Sequence, residues 1–309
     1  MLKYIVKRIL QVIPVLFGVI LIVFTLLYFS PGDPAKIMMG ESVSEEALAQ
    51  AREEMGLNKS YIERFLDYLG NVVFHFDFGT SYSTKRPVTD MIASSFPNTL
   101  KLTFISMFVA IIGGLLLGVI SALKQNTWVD STISFIALIG VSFPSFWLAL
   151  LLILLFSVKL GWLPASGFDS WQSMVLPCAM LSLGCVASLT RMTRSSMLDV
   201  VRQDYVRTAK AKGLTQRAIV IGHEIKNGLL PVITSIGMNF SSLLGGAAVC
   251  EVIFSIQGIG RLIVESIKMR DYPVVQGGVL CISIACCLVN LIVDLLYMLV
   301  DPRLRKERE

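Results

Sequence analysis

Long apolar runs alternate with polar stretches along the 309 residues, and six of the runs are candidates for membrane spans. They extend approximately over 9–29, 100–123, 133–158, 174–189, 229–249 and 274–300. A helix needs about 20 mostly apolar residues to cross a hydrocarbon core of about 30 Å. The fourth run is the weakest, because Pro177, Ser182, Gly184 and Ser188 dilute it. A β-barrel would show segments of about ten alternating residues, and these runs are longer and do not alternate. The pattern therefore predicts an all-α, polytopic membrane protein with six transmembrane helices, since a helix satisfies its own backbone N–H and C=O groups inside hydrocarbon. The first run follows Lys3, Lys7 and Arg8 and ends at Ser30-Pro31-Gly32-Asp33-Pro34. It is longer than a signal-peptide core and lacks a small-residue cleavage site, so it is read as a retained span.

Composition agrees: 54% of residues are hydrophobic and 16% charged, against about 25% charged in a soluble domain, and the mean hydropathy is +0.70. Charge sets the orientation. With residue 1 inside, the segments 1–9, 121–133, 190–228 and 301–309 hold sixteen Lys/Arg, and the longer opposite segments hold ten. The positive-inside rule then places both termini in the cytoplasm. The chain divides into residues 1–98, with the first span and an extracytoplasmic helical segment, and residues 99–309, with five spans and a cytoplasmic loop at about 191–228.

Within the extracytoplasmic segment, Ser42 and Glu45 have capping-box spacing before a short helix that ends near Met55 and Gly56. A second helix starts near Ser60, with Tyr61, Phe65, Leu66 and Leu69 as its apolar stripe. The two helices either cap the outer vestibule or contact a delivery protein. Gly114 and Gly118 have the four-residue spacing that lets helices approach closely, and packing is favoured over pore lining for the glycines of the spans. Asp294, near the inner end of the last run, is read as a structural, hydrogen-bonded aspartate. All six cysteines lie inside apolar runs and act as small packing residues. His75 and His223 fall on opposite sides of the membrane, and His223-Glu224-Ile225-Lys226 lacks the second histidine of a zinc-protease helix.

The stretch 191–231, RMTRSSMLDVVRQDYVRTAKAKGLTQRAIVIGHEIKNGLLP, interleaves dense charge with Met197, Val200, Val201, Tyr205, Ala209 and Leu214. It predicts an amphipathic helical segment of about 35 residues. Its basic residues suit anionic lipid head groups or mechanical coupling to a soluble protein, and composition leaves these two level. Nucleic acid would require a larger positive surface.

Asp204-Tyr205-Val206-Arg207-Thr208-Ala209-Lys210-Ala211-Lys212-Gly213, continued by Asn227-Gly228-Leu229-Leu230-Pro231, resembles the EAA-loop signature of bacterial ABC importer permeases, in particular the dipeptide, oligopeptide and nickel family. The resemblance covers nearly the whole chain. It includes Tyr4-Ile5-Val6-Lys7-Arg8, Ser30 to Pro34, Gly79-Thr80-Ser81, Arg86-Pro87-Val88, Glu251-Val252-Ile253-Phe254, Gly258-Ile259-Gly260-Arg261-Leu262 and Asp301-Pro302-Arg303-Leu304-Arg305.

The resemblance implies the type I permease fold and a role as one half of an import pathway for short peptides. The same role for a nickel chelate, glutathione or another small solute is the alternative. It also implies that a short helix from Tyr205 to Gly213 sits in a groove of a cytoplasmic ATPase, with Arg207, Thr208 and Ala209 at the Glu-Ala-Ala positions, Ala209 facing the groove and Gly213 ending the turn. Tyr205, Ala211, Asn227 and Pro231 complete the coupling loop, and Glu251, Phe254, Gly258 and Gly260 form an outer loop motif. Gln257 stands where the branch commonly has proline. The implied partners are a second related permease, two ATPase subunits or domains, an extracytoplasmic substrate-binding protein and membrane lipid, with no nucleic acid, in a bacterial inner membrane.

No Gly-x-x-x-x-Gly-Lys-Ser/Thr phosphate loop occurs in the chain. No catalytic, metal or cofactor site is therefore expected in it, and ATP and Mg belong to the partner subunits. An intramembrane enzyme would need a nucleophile and base at one depth, and a receptor without transport would leave the motif unexplained.

Overall fold

The computed structural model describes residues 2–40 and 43–300, and within them the chain is helical apart from an isolated bridge between Thr80 and Pro87. The helices are α1 Leu2–Tyr28, α2 Pro34–Met39, α3 Glu45–Glu54, α4 Tyr61–Gly70, α5 Val88–Leu123, α6 Trp128–Ser142, α7 Ser145–Leu152 and α8 Trp171–Val201. They continue with α9 Asp204–Ala211, α10 Gln216–Ile219, α11 Lys226–Gly228, α12 Leu230–Ile253, α13 Ile259–Lys268 and α14 Tyr272–Val300. Three π-helical turns, Asn71–His75, Ile153–Lys159 and Val220–Ile225, extend α4, α7 and α10.

Five stretches are long and apolar enough to cross a membrane: Val6–Tyr28, Val88–Leu123, Trp171–Val201, Pro231–Ile253 and Tyr272–Leu296. The sixth is a broken pair, Trp128–Ser142 and Ser145–Lys159, bent by 104°. This corrects the single helix expected over 133–158. Pro144 has no N–H to donate and its ring crowds the preceding turn, so Phe143 is driven to an extended conformation (φ −85°, ψ 135°) and the helix stops. The fourth span, weakest in the sequence, is the best buried helix. Its most apolar window is 61% buried within the chain, against 11% for α1 and 6% for α14. Ser170 starts it with a capping box to Ser173, and it continues past residue 189 to Val201 without a break at Pro177. The apolar faces of α1 and α14 are left for lipid or partner helices.

Contacts divide the chain into two units. One comprises the residues up to Thr99 together with Gln257–Cys287, and the other comprises Leu100–Ile256 and the residues from Leu288 on.

In the first unit, Phe65 of α4 packs with Ile20 and Phe24 of α1 and Leu280 of α14, with Tyr61, Tyr68 and Leu69 around them. Leu66, expected in this stripe, is 58% exposed, because five positions beyond Tyr61 at 100° each take it off the buried face. α4 begins as expected, with Ser60 and Glu63 forming a reciprocal capping box. α3 is capped by Ser44, whose side chain accepts from the Ala47 N–H; the Ser42 cap falls outside the described residues. The buried Asp271 carboxylate ties the loop between Gly79 and Val88, accepting from Ser81 Oγ (2.5 Å), Tyr82 N (2.9 Å) and Ser83 Oγ (2.8 Å). Arg270 donates to Ser30 Oγ and to the Pro31 carbonyl.

In the second unit, α8 packs against α6, α7 and α12. Gly114 and Gly118 bring α5 onto α8. A Cβ at Gly114 would lie 2.5 Å from Leu189 Cβ, and one at Gly118 would lie 2.5 Å from Thr193 Cβ and 2.8 Å from the Thr190 carbonyl. Gly245 and Gly246 differ, since a Cβ there meets nothing within 4 Å. The packing reading holds for the first pair and not for the second.

Candidate functional site

The segment after α8 is not one long amphipathic helix. It breaks at Gln203, whose backbone is extended, and again after α9, where Gly213 takes φ +76°. Glycine reaches this left-handed conformation without a Cβ clash, which lets the Gly213 N–H donate to the Lys210 carbonyl (3.0 Å) and the Leu214 N–H to that of Ala209 (3.4 Å). Thr215 then caps α10 by accepting from the Ala218 N–H. The result is a helical hairpin, closed by an apolar cluster of Val206, Ala209 and Ile219 with Val200 beside it.

That cluster changes the role of Ala209. Expected to face a partner's groove, Ala209 is 5% exposed and packs inside its own hairpin. The reason is periodicity: Val206 and Ala209, three residues apart, share the face that Ile219 covers. The exposed face of α9 carries Tyr205, Arg207, Thr208 and Ala211. Thr208 Oγ1 donates to the Asp204 carbonyl (3.0 Å), and Arg207 stands 3.9 Å from the Asp204 carboxylate with both side chains mostly in solvent. Such a pair contributes little, so the guanidinium is available to a partner.

The hairpin is fixed to α8 through the return strand of the segment. Ser196 Oγ donates to the Gly228 carbonyl at 2.6 Å, and a Cβ on Gly228 would strike the Met197 sulfur at 2.8 Å. The neighbouring Asn227 is exposed and donates to the His223 carbonyl (2.9 Å). Pro231, also exposed, occupies the first turn of α12, where its missing N–H has no intrahelical partner to lose. Movement of α9 therefore has a direct mechanical route into α8 and α12.

Glu224 was singled out in the sequence only for what its motif lacks, yet it is fully buried and neither carboxylate oxygen has a hydrogen-bond partner among the described residues. Burial pushes its pKa up, and the Lys210 charge opposes that rise. Below the ordinary glutamate range the group is protonated in both folded and unfolded chains, so it imposes no penalty. As pH rises through the raised folded value, ionisation in the buried position destabilises the fold. Glu224→Gln, which keeps the shape and removes the charge, is therefore expected to raise thermal stability at pH 8 and to change it little at pH 4. A pH series of unfolding temperatures checks this, and a difference independent of pH would count against it.

The outer loop motif divides. Glu251 and Phe254, at the end of α12, are buried, and the Phe254 carbonyl accepts from the Gly167 N–H (2.9 Å) while the Glu251 carbonyl accepts from the Ile256 N–H (2.8 Å). Gly258 precedes α13 in an extended conformation and Gly260 lies buried in its first turn, both in the first unit. There Asn98 Nδ2 donates to the Gln257 carbonyl (2.9 Å) and Thr99 Oγ1 accepts from the Ile259 N–H (2.9 Å). The coupling segment and the Glu251–Phe254 turn stand at opposite ends of α12, whose 24 residues span about 36 Å.

This arrangement is that of a transport subunit, and comparison with known proteins gives the family. Residues 114–306 match the binding-protein-dependent transport system inner membrane component, and residues 1–103 match the amino-terminal region of binding-protein-dependent transport membrane components. The chain belongs to this family, in the dipeptide, oligopeptide and nickel branch of ABC importer permeases. It is 44% identical over 305 residues to the glutathione transport system permease protein GsiC of Escherichia coli strain K12 and to that of Shigella dysenteriae serotype 1, covering 99% of either chain in both cases.

Among solved structures, the chain is similar to an inward-facing MetNI methionine ABC transporter. The TM-score is 0.58 at 20% identity, over 69% of this chain and 97% of that one. It is also similar to an amino acid ABC transporter with histidines, with a TM-score of 0.53 at 18% identity over 70% and 94%. The fold is the type I ABC importer permease fold. The Asp301–Arg305 resemblance falls outside the described residues.

Proposed function

We propose that the chain forms half of the translocation pathway of an ATP-driven importer of short peptides, with glutathione, itself a tripeptide, as the first candidate. The observation that carries the reading is the 44% identity to a glutathione permease along 99% of both chains. The coupling hairpin supports it, because an exposed helix in a hairpin tied to α8 through Ser196 and Gly228 suits a device that receives movement. A second, related permease completes the pathway. Two ATPase subunits or domains carry ATP and Mg, and one of them binds the face of α9 that presents Tyr205, Arg207 and Ala211. A binding protein delivers solute on the opposite side, and the open flanks of α1 and α14 meet lipid or the second permease. Both termini lie in the cytoplasm of a bacterial cell whose inner membrane holds the complex.

Uptake of radiolabelled glutathione and dialanine tests the reading in cells that express the full operon-encoded complex with and without this chain. ATP-dependent uptake of at least one peptide is expected only with the chain present. In the same cells a cysteine at Lys210 should resist an impermeant thiol reagent and one at Ser44 should react. Uptake of nickel chelate alone would move the solute class to the alternative, and undiminished peptide uptake without the chain would remove the function.

A further inference from the structure

The first unit contains a polar cleft that lies outside the coupling segment. Its volume is about 360 Å³, and its walls include Glu54, Arg64, Tyr68, Tyr82, Tyr272 and Gln276. A second cavity, of about 370 Å³, also has Arg64 and Tyr272 in its wall. Each lies at the small end of the roughly 300–1,000 Å³ range of ligand sites, which suits a solute of a few residues.

The charges in the cleft are unevenly committed. Lys59 and Asp67 neutralise each other at 2.6 Å. Arg64 has no carboxylate partner among the described residues. Its guanidinium lies 5.4 Å from the centre of the Tyr28 ring and beside the Tyr82 hydroxyl, whose pKa burial raises and the Arg64 charge lowers. A ring face holds the cation in place but occupies none of its five N–H donors, and the hydrogen bond to the Tyr82 hydroxyl engages one of them. Arg52, by contrast, is bound to Asp33 at 2.6 Å. On the acidic side, Glu54 accepts from Gln50 (3.2 Å), and Asp77 accepts from the Gly79 N–H (2.8 Å). In the same wall the Tyr68 hydroxyl is buried without a hydrogen-bond partner among the described residues. An orphaned hydroxyl and a half-buried, carboxylate-free guanidinium in one polar cleft are what a site looks like before its ligand supplies the missing acceptors.

We propose that this cleft binds a small solute carrying both a carboxylate and an ammonium group, a free amino acid or a short peptide. Arg64 takes the carboxylate, Tyr68 donates or accepts a further hydrogen bond, and Glu54 with Asp77 attracts the ammonium. The site gives the permease its own contact with the solute, separate from whatever a binding protein selects. Its solute class rests on the peptide-importer reading above.

The test is equilibrium binding to the whole importer in lipid nanodiscs, without nucleotide and without binding protein. The probes are labelled trialanine, glutathione, and trialanine with its carboxylate converted to the amide. Saturable binding of the first two is expected, with the amide at least about tenfold weaker on the unmodified protein, the loss that follows from removing one charge-assisted contact. Arg64→Gln should weaken trialanine by a similar factor and leave the amide nearly unchanged. Tyr68→Phe, which deletes only the hydroxyl, should weaken trialanine several-fold. No saturable binding of any probe, equal binding of acid and amide, or binding indifferent to Arg64→Gln overturns the site. Uptake measured alongside, with the binding protein restored, separates the two conclusions. Peptide uptake without Arg64-dependent binding removes the site and keeps the importer, and Arg64-dependent binding without uptake does the reverse.

Discussion

Ala209→Glu is expected to unfold the coupling hairpin and lower ATPase association by more than about tenfold. The methyl group of Ala209 is 5% exposed and lies in the cluster with Val206 and Ile219. A carboxylate there has no partner in an apolar contact and either opens the hairpin or protonates, at a cost of about 3 kcal/mol. The loss should appear as protease sensitivity between α8 and α12 before any partner is added, which distinguishes a folding defect from a blocked interface. Ala211→Glu supplies the comparison, because Ala211 is exposed at the end of the same helix. That variant should keep its protease resistance and still lose ATPase retention. Lys210→Gln with Lys212→Gln should keep most of both, since exposed charges contribute little singly. Normal hairpin stability in Ala209→Glu would show that the side chain is not buried in the working protein.

Asp130→Ala is expected to destabilise the second unit by about 2–3 kcal/mol: Asp130 is buried, but the Arg194 side chain is 29% exposed, which keeps the loss below that of a fully buried ion pair. Asp130 is 4% exposed. Its carboxylate accepts from Arg194 Nε and Nη2 at 2.7 Å each, from Ser121 Oγ at 2.5 Å and from the Asn126 N–H at 3.1 Å. Removing it strands a guanidinium, a hydroxyl and a backbone N–H together. The bidentate fork ties the start of α6 to the far part of α8, so the defect should spread to the hairpin that α8 carries. Thermal unfolding in detergent checks the size, and Asp130→Ala with Arg194→Met should recover part of the loss by removing the stranded charge. An unchanged unfolding temperature in the single variant would contradict the buried pair.

Much of the fold could be read from the chain because its rules are local or set by the solvent. Apolar runs of about 20 residues without alternation favour helices in hydrocarbon, so the span positions followed from composition, including the fourth, which is a well-buried helix packed against α6, α7 and α12 rather than a loop. The start of α4 near Ser60, the left-handed Gly213 and the close approach at Gly114 and Gly118 were legible for the same reason: each depends on residues a few positions apart, or on the absence of one Cβ. The family could be read from the 204–231 motif.

Tertiary structure alone decided the rest. Ser121, Asp130 and Arg194 are 9 and 64 residues apart, and in the sequence Arg194 counted only as one more basic residue facing the cytoplasm. Ala209 was assigned to a partner because a motif records that a small residue is required, without recording what lies against it; the answer came from Ile219, ten positions on. Glu224 entered the sequence reading only within an incomplete zinc-protease pattern, and its burial shows only in the folded chain. Arg64 and Tyr68 define a cleft only once α3, α4 and the start of α14 stand together around them. Sequence periodicity tells which face of a helix is apolar, but the partner that covers that face is chosen by long-range packing, and the chemistry of a site depends on that choice.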